Sequence, residues 1–340
     1  MSNTKRFGQS SAPRVLPSLL LLSILYCCGG TRTITTPPTR SNVSPLHQGP
    51  LTDYVPAAGL RWLVVGRPLE LTKSQGFMRA LGRLIPNQQL AAFASGSGVQ
   101  LRTLSEGCIA GFDFGTLYLA RAGNQTQRVR DRFEARLVSE PLVRSPRAGV
   151  WRVTGIIGST PESLLTVDDN FAAVAVGDPL LVRIVEGFAL ERFKKTSPAL
   201  EGAALSTLPR DIQSSPLCYY APGPFVDDWA GGAEGILARA FALGVAATID
   251  ARALLQVHVV ISGTFGPNLE DTRARLLKTW DTIQTSPVGH VLRLQETTEP
   301  STINVRDNQA TLDVKFPISS LMEGLSVAVS AEVTRIFDRP

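Results

Sequence analysis

The chain has 340 residues, 44% hydrophobic and 19% charged, which is enough for one or two packed domains and too apolar for a chain disordered throughout. Its formal charge of +5 owes much to residues 1–27, where Lys5, Arg6 and Arg14 meet no acid; the remainder holds 31 basic against 29 acidic side chains. A near-neutral body has no electrostatic footprint for a phosphate backbone, so nucleic acid is excluded as a partner.

The N-terminus reads as an export signal. Lys5, Arg6 and Arg14 form a positive n-region, Val15 to Tyr26 is an apolar run centred on Leu19-Leu20-Leu21-Leu22, and Cys27-Cys28-Gly29-Gly30 follows. The run is too short to span a bilayer and has the proportions of a cleaved signal. A lipoprotein signal places an apolar residue at −3 and a small one at −1 from the acylated cysteine. Cys28, preceded by Leu25 and Cys27 at those positions, fits better than Cys27, which would have Tyr26 at −1. Residues 1–27 are therefore assigned as signal peptide and Cys28 as the lipidation site, with an ordinary secretory signal cut nearby as the alternative. Gly29 stands where an aspartate commonly retains lipoproteins in the inner membrane. The expected location is the outer membrane, with the body facing the periplasm and N-terminal acyl chains, palmitate among them, as its contact with the lipid bilayer.

Residues 28–58 follow as a disordered tether: the Thr-, Pro- and Ser-rich run from Thr31 to Thr39 and its continuation cannot bury enough surface to fold. The first structured half, 59–196, opens with a strand at Arg61 to Val65, then a helix carrying Phe77, Leu81, Leu84 and Ile85. Paired strands are expected at Cys108 to Phe114 and Thr116 to Arg121. A helix from about Asn124 to Leu137 aligns Val129, Phe133 and Leu137, and further strand material lies at Leu142 to Gly158. A hairpin over Leu165 to Val176 then leads through Asp178-Pro179, an N-cap and N1 pair, into a helix with Leu181, Ile184, Val185 and Phe188 on one face. Ser197 to Pro216, rich in Pro, Ser and Ala, reads as a linker.

The second half, 217–338, takes the same order. A strand at Leu217 to Tyr220 precedes a helix carrying Trp229, Ile236, Leu237 and Phe241. Strands follow at Gly244 to Ala251 and Leu254 to Ile261, then a helix from Asn268 to Gln284 with Leu276, Trp280 and Ile283 aligned. A hairpin turning at Asp307-Asn308 leads to a helix in which Ser320 and Glu323 make a capping-box pattern and Leu321, Leu325 and Val329 recur. Leu165 to Pro179 lies over Ile303 to Pro317 without a gap, matching Val167 with Val305, Asp169 with Asp307, Asn170 with Asn308, Ala172 with Ala310, Val176 with Val314 and Pro179 with Pro317. The expected fold class is α+β: two diverged repeats of β-α-ββ-α-ββ-α, mostly antiparallel sheets with helices packed on one face. Coincidental likeness of two hairpins is the alternative. Phe171, Ala173 and Ala175 make the first hairpin's outer face apolar, so something must cover it.

Residues for chemistry are sparse. His47, His258 and His290 have no metal-ligand spacing, and His258 falls opposite Leu255, Val257 and Val259 on its strand, a surface position. Ser95-Gly96-Ser97-Gly98 lacks the G-x-S-x-G spacing of a hydrolase elbow, and no phosphate-binding glycine loop occurs. The carboxylate pairs Asp168-Asp169, Asp227-Asp228 and Glu270-Asp271 suit a turn and helix starts, and Arg128, Arg130, Arg132 and Arg136 a solvated helix face. Cys108 and Cys218, the body's two cysteines, either pair as a disulfide in an oxidising compartment or are small buried hydrophobes. No catalytic, cofactor-binding or metal-binding residue is nominated.

Cys28-Gly29-Gly30, Leu101-Arg102, Leu117-Tyr118-Leu119-Ala120-Arg121 and Tyr220-Ala221-Pro222-Gly223-Pro224-Phe225 resemble segments of uncharacterised lipoproteins of myxobacteria and related deltaproteobacteria. That resemblance implies an anchored envelope protein; the family has no assigned activity to carry over. The expected function is a non-catalytic binding or structural module, its partner a protein or an apolar ligand. The alternatives are a periplasmic carrier of a lipid-like ligand and an enzyme of unrecognised type.

Overall fold

Twelve strands hydrogen-bond edge to edge into one sheet in the computed structural model, which describes residues 45–193, 196–226, 233–250 and 252–325. The signal, Cys28 and the tether as far as residue 44 lie outside the described residues, as do Asp227-Asp228, Trp229 and Val329. The strands are β1 (Leu60–Gly66), β2 (Gly107–Phe112), β3 (Gly115–Ala120), β4 (Leu142–Arg147), β5 (Val150–Ile157), β6 (Thr160–Val167), β7 (Phe171–Val176), β8 (Leu217–Pro222), β9 (Ala240–Ile249), β10 (Leu254–Gly263), β11 (Thr302–Arg306) and β12 (Gln309–Pro317). Their spatial order is β11-β12-β10-β9-β8-β1-β2-β3-β7-β6-β5-β4, and every pair is antiparallel. The α+β class and antiparallel pairing are thus as expected. The join at β1 and β8 is a pairing of remote segments, Leu63 with Tyr220 and Val65 with Cys218. Outward from that join, β2-β3-β7-β6 on one side has the same chain order as β9-β10-β12-β11 on the other; β5 and β4 extend the first side alone.

Among the described residues the helices are α1 (Pro68–Leu71), α2 (Gln75–Leu84), α3 (Asn87–Ser97), α4 (Thr126–Glu134), α5 (Leu180–Ala189), α6 (Leu269–Thr285) and α7 (Pro287–Val291); another starts at 318 and is described to 325. Local chemistry sets their ends. Asn268 caps α6 by accepting from the Asp271 N–H at 3.2 Å, with Glu270 and Asp271 in its first turn. The Asp178 carboxylate accepts from the Leu180 N–H at 2.8 Å ahead of α5, and Gly98, with φ of 79°, ends α3 in the left-handed conformation. The final helix begins directly after Pro317, so Ser320 lies inside it instead of capping it, and Glu323 pairs with Arg293 at 2.8 Å.

Helices cover both faces of the sheet, not one. On one face, Val129 and Phe133 of α4 pack with Leu164 and Ala172, and Leu276 and Trp280 of α6 pack with Ile303, Leu312, Val314 and Phe316. On the other, Leu181, Val182 and Val185 of α5 cover Leu165, Phe171, Ala173 and Ala175. The apolar hairpin face is therefore buried by the chain itself. Each fully buried Leu or Phe there contributes about 1.5–3 kcal/mol.

Two segments expected to be loose belong to this second cover. Residues 45–58 are not tether. Leu51, Tyr54 and Val55 are fully buried, and the Tyr54 ring meets that of Phe171 at 4.4 Å between centroids. Arg121 clasps this strap, donating to the Gly49 carbonyl and the Asn170 amide oxygen and lying 3.4 Å from Glu106, which accepts from the Leu51 N–H. The linker 197–216 is likewise packed: Ala199, Leu205, Leu208 and Ile212 are buried against the same core. Its Pro and Ser residues stop helices without preventing burial.

Three further features differ from the expectation. The stretch expected as a helix carrying Ile236, Leu237 and Phe241 is instead two 3-10 turns, Ala233–Gly235 and Leu237–Arg239, with Phe241 already in β9. The two hairpins differ by one residue: Val167 faces Phe171 across a three-residue turn, whereas Arg306 faces Gln309 across two. Alignment without a gap therefore slips in the first strand, where Thr166 opposes Ala172 and Val305 opposes Ala310. Third, Arg130 is not on a solvated face, because it stacks 4.6 Å over the Trp151 ring and donates to the Thr166 hydroxyl.

Candidate functional site

The two body cysteines are both free and buried. Val65 of β1 faces Cys108 on one side and Cys218 on the other, so the thiols sit on strands separated by a whole strand. Two strand spacings are about 9.6 Å, beyond the roughly 7 Å limit between Cα atoms for a disulfide. The pairing is therefore replaced by the alternative of buried hydrophobes. Burial pushes the Cys108 thiol well above its ordinary value, with the Glu106 carboxylate adding to it, and burial also raises Cys218. A raised thiol is a poor nucleophile.

The sheet's second half leaves a polar surface. On the face away from α6, β10 and β12 place His258 opposite Asp313, and Gln256 opposite Lys315. The His258 Nδ1 lies 2.6 Å from an Asp313 carboxylate oxygen, with the two side chains 35% and 49% exposed. Alternation across the strand dictates this placement, as Val257 and Val259 pack towards α6. Asp211, on the 3-10 turn Arg210–Ser214, stands beside the pair and lines two open grooves with His258, one of about 440 Å³ and one of about 210 Å³. A carboxylate-oriented imidazole among amides and hydroxyls is equipped to recognise a polar partner. Among the described residues no group of three His, Cys, Asp or Glu side chains could hold a metal ion.

Two other grooves are larger. One, of about 850 Å³, is mostly apolar and lined by Ala203, Ala204, Pro224, Phe241 and Pro267, with Phe241 half exposed. The other, of about 900 Å³, lies between the β4–β5 hairpin and α5, and Glu186 sits in it 2.5 Å from Arg152. Sequence reading missed this pair. Its signal was available: Glu186 interrupts the apolar run Leu180-Leu181-Val182-Arg183-Ile184-Val185-Glu186-Gly187-Phe188, and a carboxylate on a buried helix needs a cation. Both grooves are open to solvent.

His47, expected in the tether, is part of the packed strap and lies 3.0 Å from Asp53, and its carbonyl accepts from the Tyr54 hydroxyl at 2.6 Å. His290 lies on α7. Asp168-Asp169 occupy the β6–β7 turn, and the Asp169 carboxylate accepts from the Thr126 hydroxyl at 3.3 Å, a structural role. No family model, curated protein or solved structure matches the chain.

Proposed function

We propose that the chain is an outer-membrane lipoprotein, acylated at Cys28, whose periplasm-facing body is a non-catalytic binding or structural module. The observation that carries this reading is the N-terminal series itself: Lys5, Arg6 and Arg14, the apolar run to Tyr26, then Cys28-Gly29-Gly30. Two or three acyl chains, at about 0.8 kcal/mol per buried CH₂, hold such a protein at a bilayer. The likeness to myxobacterial and deltaproteobacterial lipoproteins agrees with it.

Within that reading the body arose by duplication of one β-α-ββ-α-ββ-α unit. Support comes from the matching strand orders on either side of the β1–β8 join. Helices also fall in equivalent places, α4 between β3 and β6 and α6 between β10 and β11. Once the one-residue difference in the turn is allowed for, Ala172 and Ala310 each face the equivalent helix. A packed core with open surface grooves suits binding at the surface better than enclosure of a ligand. A second reading, carriage of an apolar ligand, is favoured by the mostly apolar groove beside Phe241.

Metabolic labelling with radioactive palmitate tests the anchor. The full chain should take up label and partition with outer membranes, and Cys28→Ala should take up none. Equal labelling of the two, or none in either, would overturn the assignment.

A further inference from the structure

We propose that the groove between the β4–β5 hairpin and α5 binds a phosphate ester, held by the guanidinium groups of Arg144, Arg152 and Arg183. The inference concerns the folded body and does not depend on the anchor. Four arginines line the groove, Arg144, Arg152, Arg183 and Arg192, against one carboxylate, Glu186. That local surplus of three exceeds the surplus of two carried by the whole chain after residue 27.

The arrangement is also electrostatically unfavourable as it stands. Arg144 and Arg152 are directly opposite each other across the β4–β5 ladder, where like charges weaken pairing. Glu186 lies 2.5 Å from Arg152 and 3.8 Å from Arg192, which leaves nothing for the others. Among the described residues, the side chains of Arg144 and Arg183 have no hydrogen-bond or ion-pair partner. A charge on an edge strand protects it from pairing with other chains, which would account for Arg144. It would not account for Arg183 and Arg192, which reach the same groove from α5 and the segment after it.

The Arg152 side chain is 13% exposed, so its ion pair with Glu186 fixes one guanidinium at the base of the groove. Guanidinium forks match the oxygens of phosphate in pairs, and a site with three surplus cations suits a dianionic phosphate monoester better than a carboxylate. Apolar side chains flank the charges: Leu180 and Phe193 are about half exposed. The Phe193 ring lies directly over Gly187, where any side chain would collide with it, and packs edge-on to Phe188 at 5.8 Å. The groove of about 900 Å³ thus offers a charged floor and an apolar wall, as a lipid phosphate would need. A free phosphate ester would use the floor alone.

Calorimetric titration of the full chain in nonionic detergent, with dihexanoyl phosphatidic acid, glycerol 3-phosphate and dihexanoyl phosphatidylcholine, separates these sources. Saturable binding of phosphatidic acid, about tenfold or more tighter than glycerol 3-phosphate, supports the site and identifies a lipid; equal affinity supports it and identifies a free ester. Arg144→Gln/Arg183→Gln should weaken either by about tenfold or more, without changing detergent partitioning of the choline lipid. Absence of saturable binding by both phosphate monoesters overturns the proposal, as does unchanged affinity in the double variant. Should the double variant misfold, Arg144→Gln alone, on the exposed edge strand, serves the same comparison.

Discussion

Phe171→Ala should be among the most destabilising single changes in the body. The side chain is fully buried on β7, its ring packed at 4.4 Å and 42° against Tyr54 of the strap. Truncating a core phenylalanine costs about 3–5 kcal/mol, and the cost rises where the site cannot collapse. Here Phe171 pairs with Val167 of β6, β3 joins from Ala172 onward, and the neighbours on the same face, Ala173 and Ala175, are too small to fill the gap. A loss in the upper part of that range is expected. Tyr54→Ala should cost a similar amount, and the two changes together should cost less than their sum by about 0.5–1.5 kcal/mol, the share of the ring pair. Urea unfolding of the full chain, followed by tryptophan fluorescence, measures all three. A loss below about 1 kcal/mol for Phe171→Ala, or strict additivity in the double variant, would refute the view that residues 45–58 are an integral cover of the sheet.

Three other outcomes are expected. Arg121→Met leaves Glu106, only 13% exposed, without its cation and should cost about 3 kcal/mol in the same assay, with faster proteolysis between residues 45 and 58. Cys108 and Cys218 should resist a thiol reagent in the folded chain and react once it unfolds; because burial raises both thiols, as well as Tyr54 and Tyr220, the unfolded chain loses these protons first, so stability should fall as pH rises through about 9 to 10. A flat alkaline profile would contradict that burial. His258→Ala removes an exposed pair with Asp313 and should change stability by less than about 1 kcal/mol, and a larger loss would show that the pair holds the sheet together.

Much of the fold was legible where local chemistry decides it. The Asn268 cap and the spacing of Leu276 and Trp280 mark α6 to within a residue at each end, and alternation in β10 and β12 puts His258 on the outer face. The failures have physical causes. The strap and the linker are each cut by three prolines, Pro45, Pro50 and Pro56 in one and Pro198, Pro209 and Pro216 in the other, so no long periodic run marks them, yet Tyr54, Val55, Leu205 and Ile212 find burial on a surface assembled from distant segments. Nothing near Val65 announces that Cys108 and Cys218 will flank it, because strand order is a long-range property. Ile236 and Leu237 suggest a helix through hydrophobicity, but Gly231, Gly232 and Gly235 precede them, and Phe241 follows strand alternation instead. The Arg144 and Arg152 pairing across β4 and β5 likewise required the register before its charge conflict could be seen.

Mass spectrometry of the N-terminal peptide of the protein purified from native membranes decides whether the chain is acylated. The expected product is a mature chain that starts at Cys28, with a diacylglyceryl group on its sulfur. A chain that starts at any other residue, or an unmodified Cys28 thiol, would contradict it.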